Sequence, residues 1–357
     1  MGADRENVPQ PQEICTMSVA QVSIEYACQY FLNKVLLLNA GDRLLVYIDR
    51  PAEELVVGEL QARALCLGIE TEILQLGHLS SSTEMVRVLC DRIASGEFNA
   101  ICEMADQYFY LTPVWGQAME EAARLYSVGA MDRAAFVRCV GQVDHARLAE
   151  LGDALYQILR GARRVRLETG AGTSIRFRMN TGSLLGRIMS RLRLTAMSQV
   201  WRPTGTLKPG GGATFLGGQL SFLPIPDTIH GRAVIDGYLW PPDGIGCLEE
   251  PIVLEIERGQ VVEIGGDTIT SGLLRNWLSG KEKAVEHFCI GFNPGARLSN
   301  NLVEAERAFG HINIGFGAYP YHTDGVIGKP RLTIDGDVLM ENNTFIDARI
   351  ASLAAAL

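Results

Sequence analysis

"GDRLLVYIDRPAEELVVGELQARALCLGIETEILQLG", residues 41–77, decides the fold class. A Gly-Asp turn leads into the apolar run LLVYI, which reads as a strand. PAEELVVGELQARALCLG follows as a helix, with Pro51 in its first turn and Gly68 at its end. IETEILQLG is a second strand. The same grammar extends both ways. Residues 18–40 carry apolar residues at helical spacing. SSTEMVRVLCDRIASG (81–96) is a Ser/Thr-capped helix that stops at Gly96, NAICEMADQ (99–107) a third strand, and WGQAMEEAARLYSVG (115–129) a further helix. Strands alternating with helices over roughly residues 30–145 predict a parallel sheet with helices on both faces. No GxGxxG or GxxxxGK[ST] follows any of these strands, so no nucleotide site is expected.

The pattern changes near residue 160. RRVRLETGAGTSIRFRMN (163–180) alternates charged and apolar residues about a Gly-rich turn, as a β-hairpin does. Residues 203–219 read as loop. Strands separated by short turns follow: GRAVIDGYLW, EPIVLEIERGQVVEIGG, FCIGFNP, HINIGFG and PRLTIDGDVL. One helix, TSGLLRNWLSGKEKAVEH (270–287), interrupts them. The expected architecture is an α/β N-terminal domain with a parallel sheet, residues 1–155. An α+β C-terminal domain rich in antiparallel strands is expected over residues 156–357.

The chain has 357 residues, 47 % of them hydrophobic, and a formal charge of −9. An acidic chain lacks the basic face a nucleic-acid binder needs. No apolar run reaches membrane-spanning length, so no membrane partner is expected. The start, MGADRENVPQPQEICTM, has no basic region followed by an apolar one, and it lacks the Ser or Thr that a myristoylation signal carries at position 6. Eight cysteines, none in a CxxC pair, suit reduced thiols in the cytoplasm.

Candidate chemistry gathers in the last third. In AYPYHTDGVIG (318–328), His322 and Asp324 are two apart, so on an extended segment both face one way and both can reach one cation. His287, just before the short strand FCIGF, is the natural third ligand. Two His and one carboxylate form the facial triad of non-haem Fe(II) sites; the same set holds Mn or Zn for hydrolysis, and a capped turn remains the plain alternative. Glu249, Glu250, Glu304 and Glu306 lie in the same half, each by default on a solvated face. His230 sits in a turn, and His78 and His145 have no acidic or histidine neighbours at useful spacing.

Four stretches, FLGGQLSFLPIPDTIHGRAVIDG (215–237), EHFCIGFNPGAR (286–297), EAERAFGHINIGFG (304–317) and YHTDGVI (321–327), carry a resemblance. In their order and spacing the chain resembles the thermophilic-type (M29) metallo-aminopeptidase superfamily. Its site pattern is most similar to the 2,5-dihydroxypyridine 5,6-dioxygenase branch. Against the aminopeptidases, Gln219 stands where a Glu is expected, His287 replaces a second Glu, and Asn313 replaces a His. Neutral amides are poor ligands for a dication, so one metal per subunit is expected rather than two. The resemblance implies that His287, His322 and Asp324 hold Fe(II), with Mn or Zn the alternative. The reaction implied is cleavage of a small hydroxylated (N-hetero)aromatic ring with O₂; the alternative is an aminopeptidase or amidohydrolase-like hydrolase. Glu304, His311 and Tyr321 are expected to handle protons, and Gln219, Asn313 and Arg297 to contact substrate. By the same analogy the chain is expected to be a homo-oligomer.

Overall fold

The computed structural model describes residues 22–180, 197–208 and 211–357, apart from Tyr108 and Leu111. The expectations for residues 1–21, among them Cys15 and the first turn of the first helix, lie outside the described residues.

The opening stretch forms as read. Strand β1 (Arg43–Ile48) pairs in parallel with β2 (Glu70–Gln75) on one side and with β3 (Ala100–Glu103) on the other. Parallel strands are covered on both faces, and β1 shows why its sequence is a continuous apolar run. Leu44, Val46 and Ile48 enter one core with Phe31, Leu60 and Phe136, whereas Leu45 and Tyr47 enter a second with Leu89, Ile93 and Phe109. Helices therefore flank both faces. Pro51 introduces a single 3₁₀ turn, Ala52–Glu54, and the α-helix itself runs Val57–Cys66.

Three readings are corrected. WGQAMEEAARLYSVG is not one helix: the helix spans Pro113–Glu120, Ala122 turns into the left-handed region at φ 55°, and Arg124–Ser127 is strand β4. Good helix formers there yield to a tertiary slot, because β4 pairs with β3 on one side. Its other neighbour is Gly212–Phe215, inside the stretch read as loop, which adds a fifth parallel strand. The third correction bears on the site. The helix after residue 268 ends at Trp277, and Val285–Gly291 is strand, so His287 lies within a strand rather than before one. His287, Cys289 and Gly291 alternate with the core residues Phe288 and Ile290, a period of two that no helix sustains.

Among the described residues, the remaining strands build two antiparallel sheets of eight and seven strands. Their inner faces share one core with helix His145–Gly161. At its centre the Phe177 ring lies 4.9 Å from that of Phe288, across the two sheets. Among the described residues, no helix is long and apolar enough to cross a membrane. The seven described cysteines are all free.

The parallel sheet also buries a titratable group. Tyr47, Glu103 and Ser127 stand in register across β1, β3 and β4, and both hydroxyls donate to the Glu103 carboxylate. Burial outweighs these bonds and pushes the Glu103 carboxyl up to about 7. The folded chain then keeps a proton that the unfolded chain, titrating near 4.5, has released. Stability from this group is complete below pH 4.5 and is lost as pH rises through 7, about 3 kcal/mol in all. Glu103→Gln should flatten that slope in urea unfolding compared at about pH 5 and about pH 8. An unchanged slope would assign the effect to another group.

Candidate metal centre

The site is built on one face of the seven-stranded sheet. His287 stands opposite Gly315 of strand Ile312–Phe316, and Gly315 opposite Asp324 of strand Thr323–Ile327. Residues opposite each other in an antiparallel pair share a face, so the three lie in one row. His322 is two positions before Asp324, on the same side.

Gly315 makes the row possible. A Cβ at this position would lie 2.3 Å from His287 Cε1 and 2.6 Å from its Nε2. The imidazole therefore lies across the bare backbone and reaches the next strand. Its Nε2 is 3.1 Å from Asp324 Oδ1, and His322 Nε2 is 3.1 Å from Asp324 Oδ2. The two rings stack at 5.1 Å between centroids. One donor atom from each of the three residues falls within a 4.8 Å cluster. A register shift between Val285 and His287, with Glu286 as the extra residue, lets Val285 enter the core while His287 takes the opposite face. Such bulges re-aim side chains beside functional sites.

The residues around this row fix each donor. His322 Nδ1 sits 3.0 Å from Gly317 O and 3.3 Å from Glu286 Oε2, which leaves Nε2 toward the centre. Cys289, whose Sγ is 3.1 Å from Ser221 Oγ, acts electrostatically on the His287 ring. Asp324 Oδ1 accepts from Asn313 Nδ2 at 3.1 Å, and the same amide donates to Glu306 Oε1 at 3.2 Å. Glu306 Oε2 accepts from Gln219 Nε2 at 3.1 Å and Arg307 Nη1 at 3.0 Å. Gly291 admits this second carboxylate: a Cβ there would meet Ala308 O at 2.5 Å, because the Glu306–Ala308 backbone lies directly on the strand.

The electrostatics match a cation site. Burial disfavours a charged His322, but Asp324 outweighs it and lifts the ring to about 10. His287 is likewise raised well above its usual value, against burial, by Cys289 and Asp324. Burial would raise Asp324, yet the two imidazoles hold it well below the carboxylate range. A dication can take the place of protons between the two imidazoles and the carboxylate, and its binding releases protons from its ligands. Burial and then Asp324 raise Glu306, opposed by Arg307. The donor set, the partners behind each ligand and the space over Gly315 all fit one metal ion.

The other expected site residues are spread more widely. Gln219 and Asn313 sit beside the centre, tied into the Glu306 network. Tyr321 adjoins His322, its ring edge-on to Trp277 at 4.9 Å and beneath Lys281 Nζ at 4.4 Å. Glu304 is not brought to the cluster. It is buried, and its carboxylate accepts from Arg138 at 2.7 Å, Ser299 at 2.8 Å and the Arg297 backbone N–H at 3.2 Å. Arg297 itself is exposed. His311 lies at the far end of its strand, with Nδ1 3.1 Å from both Phe309 O and Asn343 Nδ2. Burial lowers its pKa. Sequence reasoning missed Gly315, Cys289, Glu286 and Arg307, and left Glu306 on a solvated face. Strand alternation puts Asn313 and Gly315 together, but only the register shows that Gly315 lies between His287 and Asp324.

No family model matches the sequence, and no curated protein matches it. The fold does have relatives among solved structures. It resembles 2,5-dihydroxypyridine dioxygenase from Pseudomonas putida KT2440 with a TM-score of 0.68 and 14 % identity, covering 92 % of this chain and 99 % of that one. It also resembles AmpT from Thermus thermophilus, with a TM-score of 0.61 and 14 % identity over 90 % of this chain and 98 % of that one. The fold is M29-like along nearly its whole length.

Proposed function

We propose that this M29-like chain is a mononuclear non-haem Fe(II)-dependent dioxygenase that opens a small hydroxylated (N-hetero)aromatic ring. His287, His322 and Asp324 would hold one iron per subunit, in the half of the chain spanning residues 156–357. The observation that carries this reading is the donor set: two imidazoles and one carboxylate converge, while the nearby Glu306 is held back by Asn313, Gln219 and Arg307. Three protein ligands on one side leave positions free for small reactants.

When bound, iron supplies Lewis acidity toward adjacent substrate oxygens and redox chemistry with O₂. The chain's own residues set the geometry. Asp324 is fixed by Asn313, and His322 by Gly317 and Glu286, so neither ligand turns as substrate enters. Glu306, raised by burial, is the carboxyl beside the centre best placed to hold or release a proton. Tyr321 and Trp277 give the His322 side of the site an aromatic border. We place the enzyme in the cytoplasm as a homo-oligomer; its scattered cysteines suit a reducing compartment.

A Zn- or Mn-dependent hydrolase is the second reading. It is favoured by the fold shared with AmpT and by Glu306, a second carboxylate one amide away from Asp324. Metal analysis and oxygen uptake separate the two. About one iron per chain, with O₂ consumed on adding a dihydroxypyridine or an aminophenol, is the expected result. Zinc or manganese, with amino acid released from a peptide amide and no oxygen uptake, would sink the dioxygenase.

A further inference from the structure

The parallel sheet has strand order β2-β1-β3-β4, so the connections leaving β1 and β3 run in opposite directions. Open α/β sheets bind ligands at this reversal, in the crevice beyond the carboxyl ends of the strands. A cavity of about 230 Å³ lies there. Arg50, just past β1, and Asp106, just past β3, line it and form an ion pair with each other. Asp49 holds the second loop, accepting from the backbone N–H of Asp106 at 2.9 Å and of Gln107 at 2.8 Å.

The opposite wall belongs to the metal-bearing sheet. Tyr238 and Trp240 line the cavity, and Trp240 stands in register with Asp324 on the neighbouring strand. One wall of the cavity is thus the strand next to that of Asp324. Burial raises the Tyr238 phenol, and the charges of Glu306, Cys247, Asp324 and Asp106 add to it. Asp243, also in the lining, accepts from Trp240 Nε1 at 3.1 Å. Two carboxylates against one guanidinium leave the cavity walls net negative beside two aromatic rings. That combination attracts a cation. The Arg50–Asp106 pair is half-exposed, so Asp106 retains lone pairs for another donor.

We propose that this cavity is a subsite for the non-reacting arm of the substrate, and that it selects an arm ending in a protonated amine over one ending in a carboxylate. The proposal rests on His287, His322 and Asp324 binding a metal that the substrate chelates.

Catechols bearing an ethyl, aminoethyl or carboxymethyl arm test it, titrated anaerobically into Fe(II)-loaded and metal-free full-length protein. The expected order is aminoethyl tightest and carboxymethyl weakest, with roughly tenfold between them. Asp106→Asn and Asp243→Asn should each draw that ratio toward one. The comparison in the unsubstituted protein decides the matter even if a variant fails to fold. Equal affinities, or a preference for the carboxymethyl arm, overturn the subsite and leave the metal reading standing. Failure of every catechol to bind in an iron-dependent way overturns both.

Discussion

Asp324→Ala is expected to lower metal affinity by at least about a hundredfold and to abolish any turnover that needs the metal. Loss of a residue behind a ligand alone typically costs 10–100-fold, and Asp324 is itself the carboxylate of the cluster. The substitution has a second, metal-free signature. Asp324 accepts from both imidazoles and lifts His322 from 6.5 to about 10. A histidine whose folded pKa is raised contributes stability that is present in full below the unfolded value, here 6.5, and disappears as pH passes through about 10. Removing the partner leaves buried imidazoles uncompensated, at about 3–5 kcal/mol for a buried pair. The metal-free variant should therefore lose most stability near pH 6, and the deficit should shrink toward pH 10. Thermal melts of both proteins in chelator across that range are the measurement. A deficit that does not vary with pH would show that the three side chains do not share charge.

Gly315→Ala tests the same centre with one methyl group. The added Cβ would stand 2.3 to 2.7 Å from three atoms of the His287 ring. Real Cβ atoms do not sit so close, so the ring must leave its place over the strand, and with it the reach to Asp324. Metal affinity is expected to fall about as far as in His287→Ala, by 10–100-fold or more. The cost in stability should be about 1–3 kcal/mol, typical of overpacking. Gly315 has no positive φ, so alanine brings no backbone penalty and the effect is steric. Native-like circular dichroism with metal lost is the predicted pair of results. Undiminished affinity would mean that His287 binds nothing.

The parallel sheet and the HxD pair were legible because both rest on local periodicity. Residues 41–77 pass from a continuous apolar run to helical spacing and back, and His322 and Asp324 stand two apart in sequence. The rest depends on what only a folded sheet supplies. Arg124–Ser127 is locally indistinguishable from the end of a helix until β3 offers it an edge. Gly315 looks like any glycine in HINIGFG until its strand lies between those of His287 and Asp324. Glu306 looked solvated because the contacts that bury it depend on the folded sheet: its partner Gln219 lies 87 positions away in sequence.

The fifth strand of the parallel sheet, Gly212–Phe215, reaches β4 only after the chain has passed through the hairpin Arg164–Arg178 and its surroundings. On the ribosome, this sheet cannot be completed until more than half of the polypeptide has emerged. Through that interval the open side of β4 is an unpaired edge, able to capture strands from another nascent copy. Expression at lower temperature should therefore raise the soluble yield.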